Sequence, residues 1–413
     1  MFKEFIQTVK SVSLNDKKNL FLVALSLFFV LFSYPITRST TTSIFIQNHG
    51  AKNSPVVWLY SVIGLTLVVF LFNKFQRFLK VHKLFYLVTL LSAVFFSVFA
   101  WGFFHGSSWM AYPLYVWKEI YIVLLVHLLF GYLTNSMSYE VAKVLYGPIG
   151  ALSSLGGVVG GLFTSWATKE FSTLEILLIG IAPILLSAFC FFYTKKDINI
   201  VDLEKEKSSK PSNPLKSIWG IRYYVILIGL IITSSQFFIN LANFKFNILF
   251  EQAITEQIDK TSYLGKLYSM VNLVSFIVQA ALIPLMLRYI KLKIVHFIIP
   301  IFYLFVSVTC FGLASGTMIF VASAFVIFKG VDYSLFSTAK ELLYFPLSPS
   351  QKYGAKYIND IIIYRFAKGL ISLLLIKFQS EFFVTVMLYV CLAVWVILLV
   401  PLFKNEEKIL KEC

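Results

Sequence analysis

The feature that most constrains this chain is a repetition of apolar runs, each roughly 17–25 residues long, that continues from about residue 20 to residue 403. Wound as an α-helix, a run of that length crosses the ~30 Å hydrocarbon core of a bilayer. Twelve such helices are expected, near 20–46, 55–72, 84–104, 112–137, 146–168, 173–193, 222–248, 264–287, 294–314, 316–337, 354–376 and 381–403. The chain is 58% hydrophobic and only 14% charged, against about 45–50% and about 25% in soluble domains. A soluble fold could not hide that much apolar surface. The fold class expected is an all-α membrane protein of twelve transmembrane helices. The opening stretch, MFKEFIQTVKSVSLNDKKN, is amphipathic and has no apolar core ahead of a cleavage site, so no signal peptide is expected.

The longest polar segment, TKKDINIVDLEKEKSSKPSNPLKS, falls between the sixth and seventh runs. It divides the chain into a six-helix half, 1–194, a linker, 195–221, and a second six-helix half, 222–413. The halves look related. RFLKVHK follows the second run and RYIKLKI follows the eighth, with Arg77 and Arg288 set 211 residues apart. A basic loop at matching places points to two pseudo-symmetric halves, the pattern of many secondary transporters.

Net charge is +16, but its placement argues against a nucleic-acid partner. Lys3, Lys10, Lys17, Lys18, the 74–83 loop, the linker, the 288–293 loop, Lys404, Lys408 and Lys411 alternate onto one side of the expected bilayer. The positive-inside rule makes that side cytoplasmic and puts both termini there. Lys52, Lys169, Lys260, Lys266 and Lys377 fall on the other side, with Glu251, Glu256 and Asp259.

Subtracting the loops leaves charge inside the membrane, where each group costs a few kcal/mol unless it faces a polar interior. Arg38 lies in helix 1, Lys118 and Glu119 in helix 4, Lys245 in helix 7, Lys329 and Asp332 in helix 10, and Asp360, Arg365 and Lys368 in helix 11. Thr40, Thr41, Thr42, His127, Asn135, Asn240, Asn243, Asn247 and Asn359 accompany them. Converging on one cavity, these groups would make it cationic and suited to a substrate with several negative charges. The structural alternative pairs them locally: Lys118 with Glu119, Lys329 with Asp332, and Lys356 with Asp360 at i,i+4, with Lys245 and Lys368 snorkelling to helix ends. Arg38 and Arg365 have no such neighbour.

Other chemistries lack their residues. Cys190, Cys310, Cys391 and Cys413 have no paired spacing, and the five histidines form no HxxxH or HExxH, so neither a disulfide framework nor a metal site is expected. No GxSxG is present, no catalytic constellation is found, and no cofactor is implied. In helix 5, Gly156/Gly160 and Gly157/Gly161 have the small-xxx-small spacing of close helix packing.

Four stretches carry a family resemblance: Arg38–Ser39 in helix 1, the NKFQRFLKVHKLFY loop, YVWKEIYIVLL entering helix 4, and STAKELLYFPLSPSQKYGAKYINDIIIYRFAKG over 337–369. Together they resemble the ATP/ADP translocase-type nucleotide transporters of intracellular bacteria and plastids, and their shorter bacterial relatives. The resemblance implies the major facilitator fold and nucleotide exchange (ATP:ADP antiport) across a bacterial inner membrane, in a chain that acts as a monomer. It puts Glu119 at the family's acidic position in helix 4 and Lys368 at its basic position in helix 11. Thr41 and Thr42, and Asn243 in helix 7, stand where the family carries charged residues.

The expected function is therefore a secondary transporter of an organic anion, a nucleotide or another phosphorylated metabolite. Arg38, Lys118, Glu119, Asn243, Lys245, Asp360, Arg365 and Lys368 are the candidate substrate residues. The alternative is a carrier of the same fold for a lipid, peptide or drug, driven by protons through Glu119, Asp332 or Asp360.

Overall fold

A computed structural model describes residues 14–76, 78–136, 139–194, 214–313 and 316–412. The basic residues Lys3, Lys10 and Arg77, most of the 195–221 linker, and the side chains of Asn135 and Lys411 lie outside the described residues. Among those described, every regular element is helical.

The main helices are α1 (Leu14–His49), α2 (Ser54–Phe75), α3 (Val81–Phe104), α4 (Ala111–Ser136) and α5 (Tyr139–Ala167). Then come α6, broken at Gly180 into Thr173–Ile179 and Ile181–Phe192, and α7 (Arg222–Ala253). α8 spans Gln257–Tyr289, α9 Leu292–Gly312 and α10 Met318–Leu343. α11 comprises Pro349–Lys356, Tyr357–Ile363 and Tyr364–Lys377, and α12 is Glu381–Glu412.

Their ends follow local chemistry. Gly50 and Gly106 take φ of 80° and 89° directly after α1 and just after α3, a region most side chains avoid. α6 and α11 each open on a capping box, Ser172 with Glu175 and Ser348 with Gln351, and Pro349 follows the second cap. Those reciprocal bonds satisfy backbone donors that a helix start leaves open.

Eleven helical segments among the described residues are long and apolar enough to cross a membrane, and α11 is not one of them. Lys352, Lys356, Asp360, Arg365 and Lys368 interrupt its apolar content.

Two helices begin after a lysine in extended conformation. α3 begins after Lys80, whose φ and ψ are −63° and 151°. α9 begins after Lys291, 211 residues later, at −62° and 141°.

The chain forms two compact units, each drawn mainly from one half and taking a segment from the other. The first holds the described parts of Met1–His49, Ile63–Ser209 and Ile254–Phe276. In it α1 packs against α4, α5 and α6. The glycines of α5 make two contacts possible. A Cβ on Gly156 or Gly160 would strike the carbonyl oxygen of Phe28 or Phe32 on α1. On the neighbouring side, Gly157 lies against Asn272 and Gly161 against Gly265 of α8. Close packing is thus the role of this motif. Hydroxyls extend the α8 contact: Thr261 bonds Ser43 and Thr173, Ser262 meets Ser165, and Ser269 donates to Val158 O.

The second unit holds the described parts of Gly50–Val62, Lys210–Ala253 and Ile277–Cys413. α7 packs against α10, α11 and α12. The start of α2 is tied in by polar contacts. Glu251 accepts from the Ala51 N–H at 3.0 Å, Asn247 donates to Ser54 Oγ at 3.3 Å, and Gln379 donates to Lys52 O at 2.9 Å. Among the described residues of this unit, four stretches are π-wound: Val278–Leu282, Val308–Leu313, Asp332–Phe336 and Tyr357–Ile363.

Candidate functional site

The charges expected inside the membrane fall into both units. In the first, α1 presents Arg38 amid a run of buried hydroxyl residues, Ser39 to Ser43. Thr40, Thr41 and Ser43 donate back to carbonyls one turn earlier, which satisfies hydroxyls in an apolar setting. The Arg38 guanidinium carbon lies 4.1 Å from the centre of the Tyr268 ring and 5.6 Å from that of Tyr34. Stacking of this kind positions a guanidinium through its face, while its N–H groups point outward in the plane.

Lys118 and Glu119 sit on α4. The Lys118 side chain is only 1% exposed, and its ammonium donates to Glu119 Oε1 at 2.8 Å. It also lies 3.2 Å from the centre of the Tyr115 ring. Glu119 is 21% exposed. The local pairing expected for these two residues is present. Lys118 is the inner partner and Glu119 the outer one.

In the second unit, Lys245 of α7 donates to Thr385 Oγ1 at 2.8 Å and lies 3.5 Å from Glu381 Oε1 on α12. Asn243, two residues earlier, is half-buried. Asp332 is 7% exposed and opens the π-wound stretch of α10. Lys329 lies one turn before it, its ammonium 5.6 Å from the Tyr333 ring centre.

The i,i+4 pairing of Lys356 with Asp360 is replaced by two contacts to α10. Lys356 pairs with Glu341, while Lys340 donates to Asp360 Oδ1 at 2.7 Å and Tyr344 Oη reaches the same oxygen at 3.4 Å. The reason is the winding of α11. Residues 357–363 follow the i→i+5 pattern, so side chains four apart are carried round relative to an α-helix. Asn359 faces α7 instead, donating to Val225 O at 3.3 Å against Gly229.

Beyond this stretch come Arg365 and Lys368, both half-buried. Arg365 makes no hydrogen bond or ion pair among the described residues. The structure thus joins Lys118 to Glu119, and gives Asp360 and Lys245 partners that sequence reasoning did not name: Lys340, Thr385 and Glu381. Lys340 lies in the same 337–369 stretch that carried the resemblance, and that was the available signal. Tyr268 and Tyr115 had none, because an aromatic residue in an apolar run reads as core.

Residues 1–107 match the family model described as TLC ATP/ADP transporter. ADP,ATP carrier protein 3 of Rickettsia typhi is 22% identical, with 99% of this chain and 99% of that protein aligned. The chain is similar to the ADP,ATP carrier proteins over nearly its whole length. ADP,ATP carrier protein 1 of Chlamydia pneumoniae is 20% identical over 86% of this chain and 83% of its own length. Among solved structures, the nucleoside transporter NupG matches with a TM-score of 0.69 at 13% identity, covering 94% of this chain and all of that one. A D-xylose-proton symporter matches at 0.66 with 12% identity, over 94% and 98%. A bacterial homologue of ferroportin matches at 0.65 with 14% identity, over 96% and 100%. The chain therefore shares its fold with these solved transporters.

Proposed function

We propose that the chain is a secondary transporter that moves a nucleotide or a similar phosphorylated anion across a membrane by alternating access, exchanging one such anion for another. The observation that carries this reading is Arg365, a half-buried arginine on an intramembrane helix with no hydrogen bond or ion pair among the described residues. An arginine so placed is costly unless an anion or water offsets its desolvation. The likeness to ADP,ATP carrier proteins over nearly the whole chain supports a nucleotide as that anion.

In this reading Arg38 and Arg365 make forked contacts to phosphate, and Lys245 and Lys368 act as point charges. Asn243 adds a neutral hydrogen bond. Lys118 holds Glu119, and Glu119 and Asp360 compete with the substrate for cations. α11 also spans, which makes twelve helices, and the halves are 1–194 and 222–413, joined by the 195–221 linker. The chain works as a monomer in a bacterial inner membrane with both termini in the cytoplasm. It needs no cofactor and catalyses no covalent change.

The test is uptake of labelled nucleotide into liposomes holding the purified chain. Arg365→Gln and Lys368→Gln are each expected to abolish it, and full uptake by both would remove the assignment. Burial of Asp332 at 7% exposure favours one second reading, a proton-coupled carrier of a lipid, peptide or drug in which Asp332, Glu119 or Asp360 titrates. A thermal-shift panel separates the two. Ligands that bind the folded state raise its melting temperature with concentration, so nucleotides should do so under the first reading. Under the second, only pH or an unrelated cargo should.

A further inference from the structure

Asp360 is set among the lysines of α11, yet its partner is on α10. Lys340 bonds it at 2.7 Å, and the pair is not sealed: 15% of the Lys340 side chain and 25% of the Asp360 side chain are exposed. A half-solvated pair keeps part of its hydration, so another anion can compete for the lysine without opening a core. Two backbone features favour exchange of partners over a fixed brace. Asp360 lies inside the π-wound Tyr357–Ile363, and Lys340 follows the π-wound Asp332–Phe336 by four residues. Such turns recur at functional positions, and rewinding either one to α would rotate its charged side chain away from the other. Five residues past Asp360, at ~1.5 Å per residue, Arg365 makes no hydrogen bond or ion pair among the described residues.

We propose that Lys340 is an anion-contacting residue of the transport path. Asp360 neutralises it while the path is empty, and a phosphate group of the substrate takes the carboxylate's place. This rests on the anion transport proposed above. In the exchange Lys340 keeps an anionic partner, the released Asp360 retains Tyr344 Oη, and Arg365 offsets the negative charge that the substrate adds. A substrate with several phosphates can then engage Lys340 and Arg365 together, whereas one with a single phosphate engages only Arg365. Lys340 would thus set a preference for longer phosphate chains.

The experiment measures binding and uptake of AMP, ADP and ATP by the full chain. Wild type that neither binds nor transports any of them overturns the transport reading and this inference with it. With an active wild type, Lys340→Gln is expected to weaken ATP about tenfold or more, as for loss of a charge-assisted hydrogen bond, and to leave AMP nearly unchanged. Asp360→Asn removes the competitor and is expected to tighten ATP binding severalfold. Equal losses for AMP and ATP in Lys340→Gln, or weaker ATP binding in Asp360→Asn, would mark a structural brace and overturn the proposal. If Lys340→Gln does not fold, the direction of the Asp360→Asn change decides alone.

Discussion

Gly161 and Gly265 lie so close that a Cβ on the first would come within 2.5 Å of the other's carbonyl oxygen, and a Cβ on the second within 2.8 Å. This contact joins α5 to α8, and no side chain larger than hydrogen fits there without backbone movement. Gly161→Val is expected to lower stability in detergent by about 1–3 kcal/mol, the usual cost of overpacking, and to depress uptake. A melting temperature equal to wild type would show that the helices separate freely.

Glu119 and Lys118 should not be equivalent when removed. Lys118 is the buried partner at 1% exposure, whereas Glu119 at 21% retains access to water. Glu119→Ala takes the carboxylate from a buried ammonium and is expected to destabilise by a few kcal/mol, as for a broken buried pair. Lys118→Met leaves a carboxylate that water can partly solvate, and should cost less. Thermal unfolding of the two variants checks the order, and the reverse order would contradict the burial seen here.

Arg38 is positioned by the face of Tyr268. Tyr268→Phe keeps the ring and should leave nucleotide affinity near wild type. Tyr268→Ala removes it and is expected to weaken affinity by roughly 1–2 kcal/mol, within the range for partly desolvated cation–π contacts. A binding isotherm for each variant makes the comparison, and equal losses would assign the role to the hydroxyl instead.

Arg365→Lys distinguishes shape from charge. A lysine preserves the positive charge but loses the planar fork that grips phosphate at two oxygens. Uptake is expected to fall at least tenfold while the melting temperature holds. Full activity would mean that charge alone suffices at this position.

Gly229 lies under the π-wound stretch of α11. A Cβ there would come within 2.9 Å of Asn359 Oδ1 and 2.5 Å of Ile363 Cδ1. Both atoms end side chains that must shift for the new methyl, so Gly229→Ala is expected to lose its gain in helix propensity and melt no higher than wild type. Increased stability would show that α11 can rewind to accommodate it.

Much of this was legible in advance because the bilayer narrows the choices. A long apolar run must be a helix when no water is present to bond its backbone. So α4 was expected near 112–137 and is Ala111–Ser136. The glycine spacing of α5 announced close packing, and the charge at Lys118–Glu119 announced a local pair. α8 was less well placed: it begins at Gln257, because its first turns carry polar residues that lower the apolar signal. The apolar runs, the spacing of their basic loops and the residues of 337–369 were fixed by the sequence alone, since each depends on composition and local order. Which glycine faces α1 and which faces α8, and which lysine holds Asp360, depended on tertiary structure. A π-wound turn moves side chains round the helix axis by an amount that packing decides, and that carried Asp360 from Lys356 to Lys340.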